Sequence, residues 1–205
     1  MAEHGVFISF EGIDRSGKST QAALLAEALG ERAILVREPG GTVLSERVRE
    51  ILKDPSVPLA PRAEALLFAA ARADLVANVV RPALADGKIV IADRFVDSSL
   101  AYQGVARGLG VGEIERINEW ATDDLLPDRT FLIEIDPQRA AARGVEENDR
   151  FEDEGIEFQR KIAGAYEMLA DRAPQRIVRV DGDRDVQEVS ADVRRLADDL
   201  IGATA

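Results

Sequence analysis

Gly12-Ile13-Asp14-Arg15-Ser16-Gly17-Lys18-Ser19, with Thr20 behind it, reads G-x-x-x-x-G-K-[ST]. The flanks decide whether that match carries meaning. Before it runs Val6-Phe7-Ile8-Ser9-Phe10, an apolar, β-branched and aromatic stretch suited to a buried strand. After it comes Gln21-Ala22-Ala23-Leu24-Leu25-Ala26-Glu27-Ala28-Leu29, a strong helix former stopped by Gly30. Strand, glycine-rich turn and helix are the setting a phosphate-binding loop requires. In such a loop the backbone N–H groups and the positive end of the helix dipole converge on a polyphosphate. Gly12 and Gly17 let the chain adopt conformations closed to residues with a Cβ, Lys18 reaches the β/γ-phosphates, and the Ser19 hydroxyl serves Mg²⁺. The expected donor site is therefore Gly12, Ile13, Asp14, Arg15, Ser16, Gly17, Lys18, Ser19 and Thr20.

The chain has 205 residues, room for one α/β domain, 1–205, and not comfortably two. It contains no cysteine, which excludes disulfides and thiolate metal sites and suits a reducing compartment. No apolar run approaches membrane-spanning length and none at the start resembles a signal, so a cytoplasmic protein without a membrane partner is expected. The net charge of −12 argues against nucleic acid as a partner. Of the 26 basic residues 22 are arginine, whose planar fork suits phosphate where codon bias does not explain the excess. The single histidine, His4, stands near the chain start and reads as a surface residue, so a mechanism built on histidine is not expected.

Ala33–Val36 reads as a second buried strand ending at the turn-rich Arg37-Glu38-Pro39-Gly40-Gly41, at a strand's carboxyl end where open α/β sheets bind ligands. Thr42 caps a helix with Leu44, Val48, Ile51 and Leu52 on one face. A long helical stretch follows over about 62–85, with Pro82 kinking or dividing it. Ile89-Val90-Ile91-Ala92-Asp93 is a strand running into a carboxylate able to orient Mg²⁺ or its waters. Helices over about 98–105 and 112–122, a strand over 130–135 and a short helix begun by Pro137 come next. Residues 144–153 are polar and charged, without an apolar period. A helix with Ile162, Tyr166 and Leu169 inward, a strand over 177–180 and a last helix capped by Asp185 complete the alternation. The last helix carries a Val186, Val189, Val193, Leu196, Leu200 stripe that suits packing on the sheet or a dimeric coiled coil. The fold expected is α/β, one parallel sheet flanked by helices.

Several motifs together resemble bacterial thymidylate kinases across nearly the whole chain. They are Phe10-Glu11-Gly12-Ile13-Asp14 through Thr20, Arg37-Glu38-Pro39-Gly40-Gly41-Thr42, Leu67-Phe68-Ala69-Ala70-Ala71-Arg72, Asp93-Arg94-Phe95-Val96-Asp97-Ser98-Ser99-Leu100-Ala101-Tyr102-Gln103-Gly104, and Asp149-Arg150-Phe151-Glu152. The resemblance implies a P-loop NTPase of the nucleoside-monophosphate-kinase kind, with a five-stranded parallel sheet in order 2-3-1-4-5. It also implies a lid over about 139–153, a homodimer, and Mg²⁺-dependent transfer of a phosphoryl group from ATP to dTMP.

By that resemblance Phe68 stacks on thymine, Arg72 donates to its O4, and Ser99 and Gln103 serve the N3/O4 edge. Tyr102 lies beneath the deoxyribose. Arg94 and Arg49 clamp the acceptor phosphate, with Glu38, Pro39 and Ser98 at the same site; Asp14 and Glu38 stand near the acceptor phosphate and the metal or transferred phosphoryl. Phe68 and Arg72 are four apart and so share a helix face, although core packing is the other reading of Phe68. Phosphoryl transfer needs positioning and charge stabilisation more than a strong base. Catalytic candidates are Lys18, Arg15, Arg94, Asp14 and Arg150, with Ser19 and Asp93 for the metal. Arg15 stands where many relatives have a small residue; Arg139 and Arg143 are placed to flank the adenine or the polyphosphate. Phe95 replaces a common tyrosine.

A kinase for another nucleotide or nucleoside shares the same parts, and a P-loop ATPase switch or a fold retained without turnover are the other classes. Against a GTPase switch, no Asn-Lys-x-Asp occurs.

Overall fold

The computed structural model describes residues 5–144 and 155–204. Five strands form one wholly parallel sheet: β1 Val6–Glu11, β2 Ala33–Arg37, β3 Ile89–Asp93, β4 Arg129–Glu134 and β5 Ile177–Asp181. Their order is β2-β3-β1-β4-β5, as expected. Between β3 and β4 lies β1, so every one of its residues is buried and its alternate side chains enter opposite layers. Phe7 joins Val90 and Leu132 on one face; Ile8 and Phe10 join Ile91, Phe131 and Ile133 on the other. Each such burial contributes roughly 1.5–3 kcal/mol, which fixes the register from which the loops spring.

On the Ile8 face pack α1 (Lys18–Leu29) and α9 (Val186–Thr204). Val189, Val193 and Ala197 of α9 are buried in that layer, which decides between the two readings of its apolar stripe in favour of the sheet. The Asp185 side chain caps its start by accepting from the Gln187 amide at 2.8 Å. On the Phe7 face lie α3 (Pro61–Leu75), α5 (Val96–Ser99), α6 (Val111–Thr122) and α8 (Ile156–Arg172), the last burying Ile162, Tyr166 and Leu169. The remaining helices are α2 (Val43–Lys53), α4 (Arg81–Ala85) and α7 (Pro137–Ala142).

Four expectations need correction. Ala33–Val36 is not buried throughout: β2 is an edge strand paired with β3 alone, Val36 is its one buried residue, and Leu35 is 46% exposed. On α2, Val48 and Leu52 are buried while Leu44 and Ile51 are exposed, because α2 meets α3 along a narrow seam. The stretch over 62–85 is not broken at Pro82 itself. The turn ahead of it, Val76–Val80, widens into a π-helical turn; Pro82 has no N–H to give the preceding turn. The helix expected over 98–105 is likewise α-helical over Val96–Ser99 and π-helical over Leu100–Ala106.

Candidate active site

The turn between β1 and α1 is built for close approach by an anion. Gly12 has φ 145°, and a Cβ there would stand 2.6 Å from the Ile133 carbonyl oxygen. Gly17, φ 98°, precedes α1 without a side-chain cap, and the first turn of that helix carries no acidic residue. Its leading N–H groups and the helix dipole are thus left to an outside acceptor. Between the glycines Arg15 holds a left-handed φ of 63°, unusual for a residue with a Cβ.

The opposite wall springs from the end of β3. Asp93 is partly buried, and its Oδ1 has no hydrogen-bond partner among the described residues. Arg94 follows with φ 72° and turns back across the phosphate loop. Its Nη1 donates to the Gly12 carbonyl at 3.2 Å and to Ser98 Oγ at 3.1 Å. Its Nη2 donates to Tyr102 Oη at 3.1 Å and makes a short ion pair with Asp14, and the guanidinium lies 5.0 Å from the Tyr102 ring centre. Asp14 also accepts from Tyr102 Oη at 3.2 Å and Gln159 Nε2 at 3.0 Å, with Lys18 Nζ at 3.9 Å. Burial alone would raise the Asp14 carboxyl, but Arg94, then Lys18 and the two hydrogen bonds, hold it below its usual value. Burial and the neighbouring Arg94 charge push the Lys18 ammonium the same way, downward.

Beneath this wall Glu11 fixes the Arg94 turn. Its carboxyl accepts from the Phe95 and Ser98 amides at 2.8 and 3.2 Å, from Ser98 Oγ at 2.5 Å and from Tyr166 Oη at 2.8 Å. Burial first and the Asp97 charge second push Glu11 up to about 7, against the pull of Ser98, Arg94 and the Phe95 amide. Asp97 in turn is held from the start of β5 by both Nη atoms of Arg176, at 2.6 and 2.8 Å.

The third wall comes from the loop after β2 and from α3. Arg49 donates to the Pro39 carbonyl at 2.9 Å, and the Glu38 amide donates to the Asp93 carbonyl at 3.0 Å, which ties this loop to the β3 end. The Glu38–Pro39 peptide is cis. Arg72 is buried, with Nε on Glu38 at 2.8 Å, Nη1 on Ser99 Oγ at 3.0 Å and on Asn118, and Nη2 on the Phe95 carbonyl at 3.1 Å and on Glu38 at 2.5 Å. Four of the five guanidinium N–H groups donate in these contacts, and Nη2 adds an ion pair with Glu38, so the fork is held in place from several sides. Burial pushes the Glu38 carboxyl up in spite of Arg72.

The three walls enclose one cavity of about 870 Å³. Of the residues expected to act, Asp14, Lys18, Ser19, Glu38, Pro39, Arg49, Phe68, Arg72, Asp93, Arg94, Ser98, Ser99, Tyr102 and Gln103 all line it. Gly12, Ile13, Arg15, Ser16, Gly17 and Thr20 of the phosphate loop do not line it, nor do Arg139 and Arg143. Arg139 is exposed and pairs with Asp183 at 2.8 Å. Arg143 lies along the outside of the phosphate loop, donating to the carbonyls of Arg15 and Ser16 at 3.2 and 3.1 Å and of Gly182 at 2.8 Å. Arg150 and most of segment 139–153 fall outside the described residues. Sequence reasoning gave no role to Glu11, Gln159 or Tyr166. The one signal for Glu11 was a carboxylate closing an apolar strand. Ser19 and Asp93 offer a hydroxyl and an unpartnered carboxylate oxygen on one cavity, which suits a hard cation that keeps its remaining places for water and phosphate. No group of three or more His, Cys, Asp or Glu arranged for a metal occurs among the described residues.

Comparison with known proteins agrees with this geometry. The family model described as thymidylate kinase matches residues 10–193. A thymidylate kinase of Symbiobacterium thermophilum is 49% identical over 201 residues, covering 96% of this chain and 94% of that protein. One of Leifsonia xyli subsp. xyli is 48% identical over 196 residues, covering 93% of each. The crystal structure of thymidylate kinase from Ehrlichia chaffeensis superposes with a TM-score of 0.79 at 35% identity, covering 94% of this chain and 98% of that one. With sheet order, phosphate loop and cavity wall all in agreement, the chain belongs to the thymidylate kinase family.

Proposed function

We propose that this chain phosphorylates dTMP to dTDP with ATP as donor. The observation that carries the reading is the single cavity joining the phosphate loop to the Phe68, Arg72, Ser99 and Gln103 wall, with Arg94 and Asp93 between them. A phosphate oxygen of dTMP attacks the γ-phosphorus; that P–O bond forms as the bond to the β,γ-bridging oxygen breaks, and ADP leaves with the electron pair. Residues Gly12 to Thr20 hold the donor phosphates, with Lys18 on the β/γ-oxygens. Arg94 and Arg49 hold the acceptor phosphate, and Asp14 keeps the Arg94 fork aimed across the loop. Phe68 stacks on the base, Ser99 and Gln103 meet its edge, and Tyr102, anchored through its hydroxyl, lies beneath the sugar. Mg²⁺ held near Ser19 and Asp93 would neutralise charge on the donor phosphates. Arg15 contacts the γ-phosphate during transfer, aided by an arginine of a lid formed by residues 139–153, Arg150 among them. One domain over 1–205, a cytoplasmic location and a homodimer complete the reading. No helix among the described residues is long and apolar enough to cross a membrane, and Leu66 and Trp120 leave apolar surface for a second copy. A monomeric mass by light scattering at micromolar concentration would refute the dimer.

The test is turnover on dTMP, dUMP, CMP, AMP, GMP and thymidine in an ADP-release assay, with localisation checked by fractionation. dTMP should be preferred clearly. Preference for another acceptor rejects the specificity, and slow hydrolysis indifferent to every acceptor favours a switch.

A further inference from the structure

Gln103 lines the cavity from the wide turn Leu100–Ala106, and its side chain is almost fully buried. Its Nε2 donates to Oε1 of Glu64 at 2.9 Å. Glu64 stands in the first turn of α3, 1% exposed, and the same oxygen accepts from Arg107 Nε at 3.3 Å. Arg107 is itself held, its guanidinium 4.9 Å from the Phe158 ring centre. A carboxylate paired with a guanidinium accepts and does not donate, so the amide must face it with nitrogen. The carbonyl end of Gln103 is what remains to face a base. One turn earlier, Ser99 Oγ accepts from Arg72 Nη1 at 3.0 Å, which leaves its O–H free to donate.

The wall therefore shows an acceptor fixed by Glu64 beside a donor. A pyrimidine with a proton on N3 and a carbonyl at C4 matches both. Cytosine, with a bare N3 and an amino group at C4, mismatches both. Building on the dTMP reading of this cavity, we propose that Glu64 is a specificity-determining positioning residue. It sits outside the cavity lining, and by holding Nε2 of Gln103 it makes the site select a base that carries a proton on N3. A site whose buried groups would be left unpaired rejects the wrong partner far more strongly than one that merely differs in size.

The experiment compares kcat/KM for dTMP and for 5-methyl-dCMP, which keeps the methyl group and reverses the hydrogen-bonding edge. The wild type should favour dTMP by about 100-fold or more. In Glu64→Gln the second amide can donate or accept, Gln103 can turn over, and the ratio should fall by about tenfold or more. In Arg107→Lys a cation stays beside the carboxylate, which still holds Gln103, so the ratio should stay within about twofold of wild type even where melting temperature falls. A structural role for Glu64 predicts the reverse: loss of stability with the ratio intact, and that result in Glu64→Gln overturns the proposal. Should Glu64→Gln fail to fold, Gln103→Met decides, because an unchanged ratio there shows that the amide does not read N3. A wild type that prefers dTMP while Glu64→Gln keeps its ratio defeats this inference alone; a wild type inactive on dTMP defeats the functional reading and this inference with it.

Discussion

Arg15 is the residue at which strain and chemistry separate most cleanly. Its φ of 63° costs a residue with a Cβ about 1 kcal/mol, which glycine would not incur. The proposed contact of Arg15 with the transferred group would set a chemical gain against that strain. Arg15→Gly should leave the melting temperature unchanged or raised while kcat falls at least about tenfold. A smaller fall in kcat removes Arg15 from the transition state, and a lower melting temperature removes the strain. Arg72 makes the opposite point. Its helix position beside Phe68 was legible, but its four hydrogen bonds were not, because they reach α5, α6 and the loops after β2 and β3. What a sequence gives for such a residue is its neighbourhood and its charge. How many of its donors remain free depends on partners brought in by the fold.

At the scale of elements, the tie from the end of β1 to the start of α5 sets the pose of Arg94, and Glu11 is its centre. With its folded value raised from 4.5 to about 7, Glu11 binds a proton more readily in the folded chain than in the unfolded one. Its contribution to stability is thus fully present below pH 4.5 and lost as pH rises to about 7. Glu11→Gln lacks that dependence. Denaturant unfolding should show wild type losing up to about 3 kcal/mol relative to the variant across that window, and a flat difference would contradict it. The β1–loop–α1 unit was readable because every signal in it is local: apolar run, glycines, helix formers. Two other elements were not. The edge position of β2 follows from strand order, which four apolar residues do not encode. The wide turn at Leu100–Ala106 lies where the chain packs against α6 and α8. Glu11, Gln159 and Tyr166 meet their partners across 68 residues or more, beyond the reach of any periodicity.

The whole molecule carries a net charge of −12, yet the cavity beside the phosphate loop gathers Lys18, Arg49, Arg72 and Arg94. Long-range repulsion of nucleotides is therefore met by local attraction at one mouth. That attraction is tempered from within, since Arg94 already grips Asp14. The Asp14 carboxylate is a tethered stand-in for a phosphate on that fork, and an incoming phosphate must share the fork with it. A bare inorganic anion, with no base to lodge against the far wall, has little leverage for doing so. Orthophosphate should accordingly compete with dTMP at least about a hundredfold more weakly than dTMP binds. Inhibition at comparable concentrations would show that the tether yields freely; otherwise the catalyst stays unclogged in a milieu crowded with small oxyanions.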